Sequence, residues 1–172
     1  MSNGLKWLDA NAPLIANSVY DKGELVGRNV EFTAPMPKWT TADVEANGTY
    51  SVAMVGRADN MQLSIKHVGV DKAWAKTNTP DNHKFEFRNI QPAIDATGAV
   101  KNKSIKVFVD TGAPAVSDLG FVPGSASELE NTYSATRVAV YIDGEEVYMF
   151  DRMSGTLRVN GKDYSAQYSS ML

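Results

Sequence analysis

Asp143-Gly144 sits between two runs of alternating apolar side chains, residues 137–142 and 145–150. Both central positions of a type I′ turn need φ > 0, which Gly adopts freely and Asp tolerates. The pair therefore predicts a β-hairpin with a two-residue loop. The loop fixes a register. Ile142 is expected opposite Glu145, Val140 opposite Val147 and Val138 opposite Met149, giving one apolar face. Tyr141 with Glu146, Ala139 with Tyr148 and Arg137 with Phe150 would form the other. A slip of one residue would mix the faces, so the pattern specifies this pairing. A short strand over residues 156–159 should follow, then a turn at Asn160-Gly161, with Asp163 placed to cap a short C-terminal helix.

The rest of the chain reads mostly as strands. Val30 and Phe32 alternate with polar neighbours, and Pro35 and Pro37 end that strand because proline cannot donate to a ladder. Residues 38–48 are polar around Trp39 and read as a long loop. Tyr50, Val52 and Met54 alternate, as do Met61, Leu63 and Ile65, so residues 49–55 and 61–68 are expected to pair across a loop at 56–60. Residues 71–76 are the best internal helix, with Asp71 as its cap and Trp74 plugging an end of the fold. Phe85 and Phe87 mark another strand, residues 89–102 a connection, and Ile105, Val107 and Val109 a further strand. Residues 111–130 read as a long loop before the final hairpin. Residues 1–27 either dock on the core or form an arm that reaches a neighbour. About seven strands and two short helices predict an antiparallel β-sandwich or barrel.

A chain of 172 residues, 43% hydrophobic and 22% charged, is expected to form one domain with a core that needs no staples. There is no cysteine, which excludes disulfides and thiolate chemistry. No apolar run is long enough to span a bilayer, and the N-terminus lacks a signal-peptide plan, so the protein is expected to stay in the cell that makes it. The net charge of −3, from 17 basic and 20 acidic residues, comes without the basic run that gripping nucleic acid requires. His67 and His83 stand outside any metal-ligand spacing, and no nucleophile elbow or phosphate loop occurs. Glu128, Glu130, Glu145, Glu146 and Asp151 read as acids on solvated strands. No catalytic residue, metal or cofactor is assigned.

Residues 141–147, Asp151 and residues 159–163 resemble the C-terminal end of the major tail tube proteins of contractile-tailed phages, and are similar to R-type tailocin tubes. In that family a strand, an Asp-Gly hairpin running on into Glu-Val, an acidic residue and an Asn-Gly-x-Asp turn precede a short helix. Pro37-Lys38 matches the family's strand-ending Pro-Lys step. Ala46, Asn47 and Gly48 stand where the family often has Gly-Gly-Met.

The resemblance implies a structural protein, not an enzyme. Homohexameric rings with a composite β-barrel would stack into the inner tube of a contractile tail, the conduit for genome ejection. Edge strands would pair around the ring, which closes under cyclic symmetry. Thr49, Ser51, Gln62 and Ser64 would line the lumen, where Lys66 stands out unless neighbouring acids offset it. Pro37, Lys38, Trp39, Asn47 and Gly48 would touch the next ring, as part of an interface loop at 35–48. Residues 111–130 would be a second interface loop. Glu128, Glu130, Asp143, Gly144, Asn160, Gly161 and Asp163 would meet neighbouring subunits. The implied partners are further copies, the sheath, baseplate and tail terminator proteins, and DNA that passes without specific binding. No membrane is involved. The implied location is the virion tail, with assembly in the host cytoplasm.

Two other readings fit the residues. In a carbohydrate-binding β-sandwich, Trp39 and Trp74 would be sugar platforms. Tube proteins of headless tailocins or secretion systems share the architecture, and neighbouring sheath, tape-measure and baseplate genes would separate those cases.

Overall fold

The computed structural model describes residues 9–166 and 171. It is 64% strand and 4% helix, mainly antiparallel β as expected. In chain order the elements are β1 (Ala10–Asn11), β2 (Ala16–Asp21), β3 (Glu24–Arg28), β4 (Glu31–Thr33), β5 (Trp39–Glu45), β6 (Thr49–Ala58) and β7 (Gln62–Val68). Helix α1 (Lys72–Thr77) follows, then β8 (His83–Ile94), β9 (Val100–Gly120), β10 (Glu128–Ile142), β11 (Glu145–Asp151), β12 (Thr156–Val159) and β13 (Lys162–Asp163). The main sheet runs β13-β12-β11-β10-β9-β8-β2-β3, with β1 on β8, β7 on β10 and β4 on β7; β5 and β6 form a separate two-stranded sheet. The sheet does not close into a barrel.

The β9–β10 hairpin organises this arrangement. Its register shifts three times between Thr132 and Arg137, where Tyr133 faces Pro114 and Ala135 faces Thr111. Each shift is a bulge that bends the strand and adds twist, and Pro114 removes one ladder donor. Beyond the bend, residues 128–134 of β10 pair with β7, while residues 137–142 pair with β11. One hairpin thus contributes to two layers, and the core lies between them. Phe85, Phe87, Val107, Val109, Val138 and Phe150 meet Leu63 and Tyr133 there, all buried. Phe32 stacks on Phe87 with ring centroids 3.9 Å apart.

Several local expectations are corrected. The Asp143-Gly144 turn forms, with φ of 50° and 88°. Ile142 faces Glu145 and Tyr141 faces Glu146, but Val140 then faces Tyr148, Ala139 faces Met149 and Val138 faces Phe150. Val147 is the extra residue of a bulge, and its carbonyl accepts from Asn160 N–H at 2.9 Å. The bulge turns Phe150 into the core. Residues 38–48 are not a loop: they contain β5, which pairs with β6, so β6 and β7 are not partners. Residues 89–102 extend β8 and β9 around a turn held by Asp95, which accepts from Thr97 N–H at 2.8 Å and Ala99 N–H at 3.1 Å. The Thr97 hydroxyl, then Lys101, holds the Asp95 carboxyl well below the ordinary carboxylate range. Residues 111–120 and 128–130 are strand, leaving a loop only over 121–127.

The N-terminal segment from Ala10 onward is docked, since β1 and β2 both pair with β8. Residues 1–8, and most of the expected C-terminal helix, lie outside the described residues. Asp163 accepts from Ser165 N–H at 2.8 Å and Ala166 N–H at 3.2 Å, as a cap should. The internal helix forms as expected: Asp71 accepts from Trp74 N–H at 2.7 Å. Trp74 closes a small apolar hollow with Val19, Val26 and Phe85. Tyr133 O–H donates to Thr77 O at 2.8 Å and ties the helix to β10.

Candidate assembly and lumen surfaces

Period two gives the β7–β10 pair two faces. Leu63, Tyr133 and Leu129 point into the core. The opposite face pairs Gln62 with Ser134, Ser64 with Thr132 and Lys66 with Glu130. On the flanks, β4 places Glu31 beside Lys66 and Thr33 beside Ser64, and β9 places Val116 beside Thr132 and Asp118 beside Glu130. The result is a strip of small hydroxyls and amides next to carboxylates. Lys66 is offset within it. Its Nζ lies 3.1 Å from Glu128 Oε2, and that contact, with weaker help from Glu31 and Glu130, raises the ammonium above its ordinary value. Ser64 Oγ donates to Glu130 Oε1 at 2.9 Å.

Gln62, Ser64, Glu128 and Glu130 are therefore together on one face, although the sequence reading assigned the two glutamates elsewhere. Glu31, Asp118, Thr132 and Ser134 were missed. The alternation of Glu128, Glu130, Thr132 and Ser134 against Leu129, Asn131, Tyr133 and Ala135 was a readable strand signal.

Thr49 and Ser51 are not beside Gln62 and Ser64, because β6 belongs to the separate sheet. They share the polar face of that hairpin with Asp43 and Glu45, which they directly oppose. Ser51 Oγ donates to Asp43 Oδ1. The other face pairs Ala42 with Val52 and Val44 with Tyr50, and Val44, Tyr50 and Val52 are exposed. Asn47 (φ 52°) and Gly48 (φ 129°) make the tip. Pro37, Lys38 and Trp39 lie at the root: Lys38 O accepts from Asp59 N–H at 2.8 Å, and Trp39 packs edge-on against Phe150 at 5.1 Å. Trp39 and Trp74 are both half-buried.

The C-terminal turns gather at one end of the sheet. Asp143 Oδ1 accepts from Ser104 N–H at 2.8 Å, and Asn160-Gly161 links β12 to β13 with φ of 48° and 78°. The carboxylates of Asp143 and Asp163 are thus engaged within the chain. His83, buried at the start of β8, has Asp21 Oδ2 2.7 Å from Nδ1 and Thr79 O 3.1 Å from Nε2. Both ring nitrogens are committed to the fold. Among the described residues no group of three or more His, Asp or Glu is placed to hold a metal ion, and no helix is long and apolar enough to cross a membrane.

No curated protein matches the chain. The family model for phage tail tube protein FII matches residues 14–172, from just before β2 through the C-terminal turns. Strands β2 to β13, the polar acidic strip and both C-terminal hairpins fall inside that match. The chain belongs to the phage tail tube protein FII family, whose members are structural, self-assembling components of the virion tail.

Proposed function

We propose that this protein forms hexameric rings that stack into the inner tube of a contractile tail, and that the tube conducts DNA at ejection. It carries no catalytic role. The observation that supports this reading most is the strip around Gln62, Ser64, Thr132 and Ser134, with Glu31, Asp118, Glu128 and Glu130 against the single Lys66. Binding to DNA is driven mainly by cations that displace condensed counterions. A wall with excess carboxylate and small hydroxyls gives phosphate nothing to hold, so DNA slides. We assign this strip to the lumen, together with the Thr49 and Ser51 face of the β5–β6 hairpin. Glu128 and Glu130 join the wall under this assignment.

Residues 37–39 with Asn47 and Gly48 form the ring-to-ring contact, and the end bearing Asp143, Gly144, Asn160, Gly161 and Asp163 faces a neighbour within the ring. The open edges of β3, β4 and β13 are covered by pairing around the ring. Sheath protein packs outside, baseplate and terminator proteins bind the ends, and assembly takes place in the host cytoplasm. Negative-stain electron microscopy of the concentrated protein tests the reading. Rings or hollow stacked tubes with six-fold symmetry are expected. Monodisperse single subunits, with or without baseplate seeds, would overturn it.

A further inference from the structure

Two exposed apolar surfaces of this chain have no partner among the described residues. The first is the Val44, Tyr50 and Val52 face of the β5–β6 hairpin, on which Tyr50 is 69% exposed. A lone two-stranded sheet is marginal in water, and this one carries its apolar face outward. The second lies at the turn end of the β9–β10 hairpin. There Leu119, Phe121 and Val122 are all exposed, Phe121 by 67%. Strand register sets this turn beside the end of β7: Val68 faces Glu128, which faces Gly120, and Gly69 N–H donates to Ser127 O. Exposed apolar clusters of this kind mark interaction sites.

We infer that the β9–β10 turn end is the seat for the β5–β6 hairpin of a second copy of this chain. The inference rests on the tube reading and names the acceptor for its ring-to-ring hairpin. Three observations carry it. First, the two surfaces match chemically. The hairpin face is Ala42, Val44, Tyr50 and Val52, with its carboxylates on the reverse side. Residues 119–127 contain no charged residue, so a contact confined to them buries no ion.

Second, the surfaces are rooted at opposite ends of β7. The hairpin enters through Ala58 and Met61 before Gln62, while the acceptor turn lies beside Val68. Seven residues of strand hold them about 20 Å apart. A copy therefore presents a donor at one end and an acceptor at the other, which is the requirement for a heterologous, head-to-tail contact. Third, the family self-assembles, so further copies are the partner in greatest supply.

The cysteine-free chain allows a clean trap. A Tyr50→Cys/Phe121→Cys double variant is assembled, oxidised with copper phenanthroline and run on a denaturing gel. A ladder of covalent multimers is expected, absent from either single variant. Val44→Cys/Val122→Cys is the second pair, should the first fail to fold. Tubes that form under the microscope with no ladder from either pair would overturn the inference and leave the tube reading standing. Covalent dimers from a single variant would also overturn it, because they mean a symmetric contact. A wild-type chain that never assembles would remove the tube reading and the inference together.

Discussion

At the scale of single residues, polar groups in the core decide how elements are tied. Tyr133 is fully buried and its hydroxyl joins β10 to the end of α1, with Asn131 Nδ2 3.2 Å from the same oxygen. Tyr133→Phe leaves the Thr77 carbonyl without that donor and should cost about 1–2 kcal/mol in urea unfolding at neutral pH. Burial also raises the Tyr133 phenol above its ordinary value, against smaller opposing effects of its Thr77 and Asn131 hydrogen bonds. A raised value favours the neutral form in the fold. Its contribution is complete below about pH 10, where the unfolded phenol begins to ionise, and is lost as pH rises through the folded value. The wild-type protein should therefore lose stability on going from pH 9 to 11, and Tyr133→Phe should flatten that decline. Tyr148, raised by burial, and Lys66 and Lys101, raised by their carboxylate partners, contribute to the slope that remains. An unchanged slope in the variant would show that Tyr133 ionises without cost.

At the scale of elements, bulges outweigh the simple hydrophobic pattern. Alternation in residues 137–150 suggested Val138 opposite Met149, and the extra residue Val147 places it opposite Phe150 instead. Deleting Val147 discriminates between the two registers. With the bulge, deletion restores a regular ladder and keeps Phe150 inside, losing the Asn160 bond to the Val147 carbonyl. The expected cost is about 1–2 kcal/mol in chemical denaturation, with native near-ultraviolet circular dichroism retained. Without the bulge, the same deletion would reverse the face of every residue after it and expose Phe150. Loss of the native near-ultraviolet signal would sink the observed register.

At the scale of the whole molecule, the bent β9–β10 hairpin separates a core-facing side from an acidic outer strip, while the β5–β6 hairpin forms a sheet of its own. If the strip and the polar hairpin face line a DNA channel, a phage carrying Ser51→Lys and Ser64→Lys should assemble tails of normal length. It should release its genome more slowly, because each lysine adds a phosphate contact and a counterion-release gain. The slowing should shrink as salt rises. Normal infectivity and salt-independent release in that variant would remove the lumen assignment without touching the fold.

Local chemistry was enough for the features that depend on neighbours in sequence. Asp143-Gly144 and Asn160-Gly161 form turns because few other pairs tolerate two consecutive positive φ values. Asp71 caps α1 because its carboxylate reaches an N–H three residues on. The β class and the family resemblance followed from such short-range signals. Long-range pairing did not. Residues 38–48 looked like a loop because a hairpin with one polar face and one apolar face turned outward carries no burial signal of its own. Residues 111–120 looked irregular because Gly112, Pro114 and the small residues that permit a bend are also the residues of loops. Whether such a segment bends within a sheet or leaves it depends on which strand lies alongside, and that strand is distant in sequence. The partners of β7 were therefore decided only by the tertiary structure, and with them the grouping of Gln62, Ser64, Glu128 and Glu130 on one face.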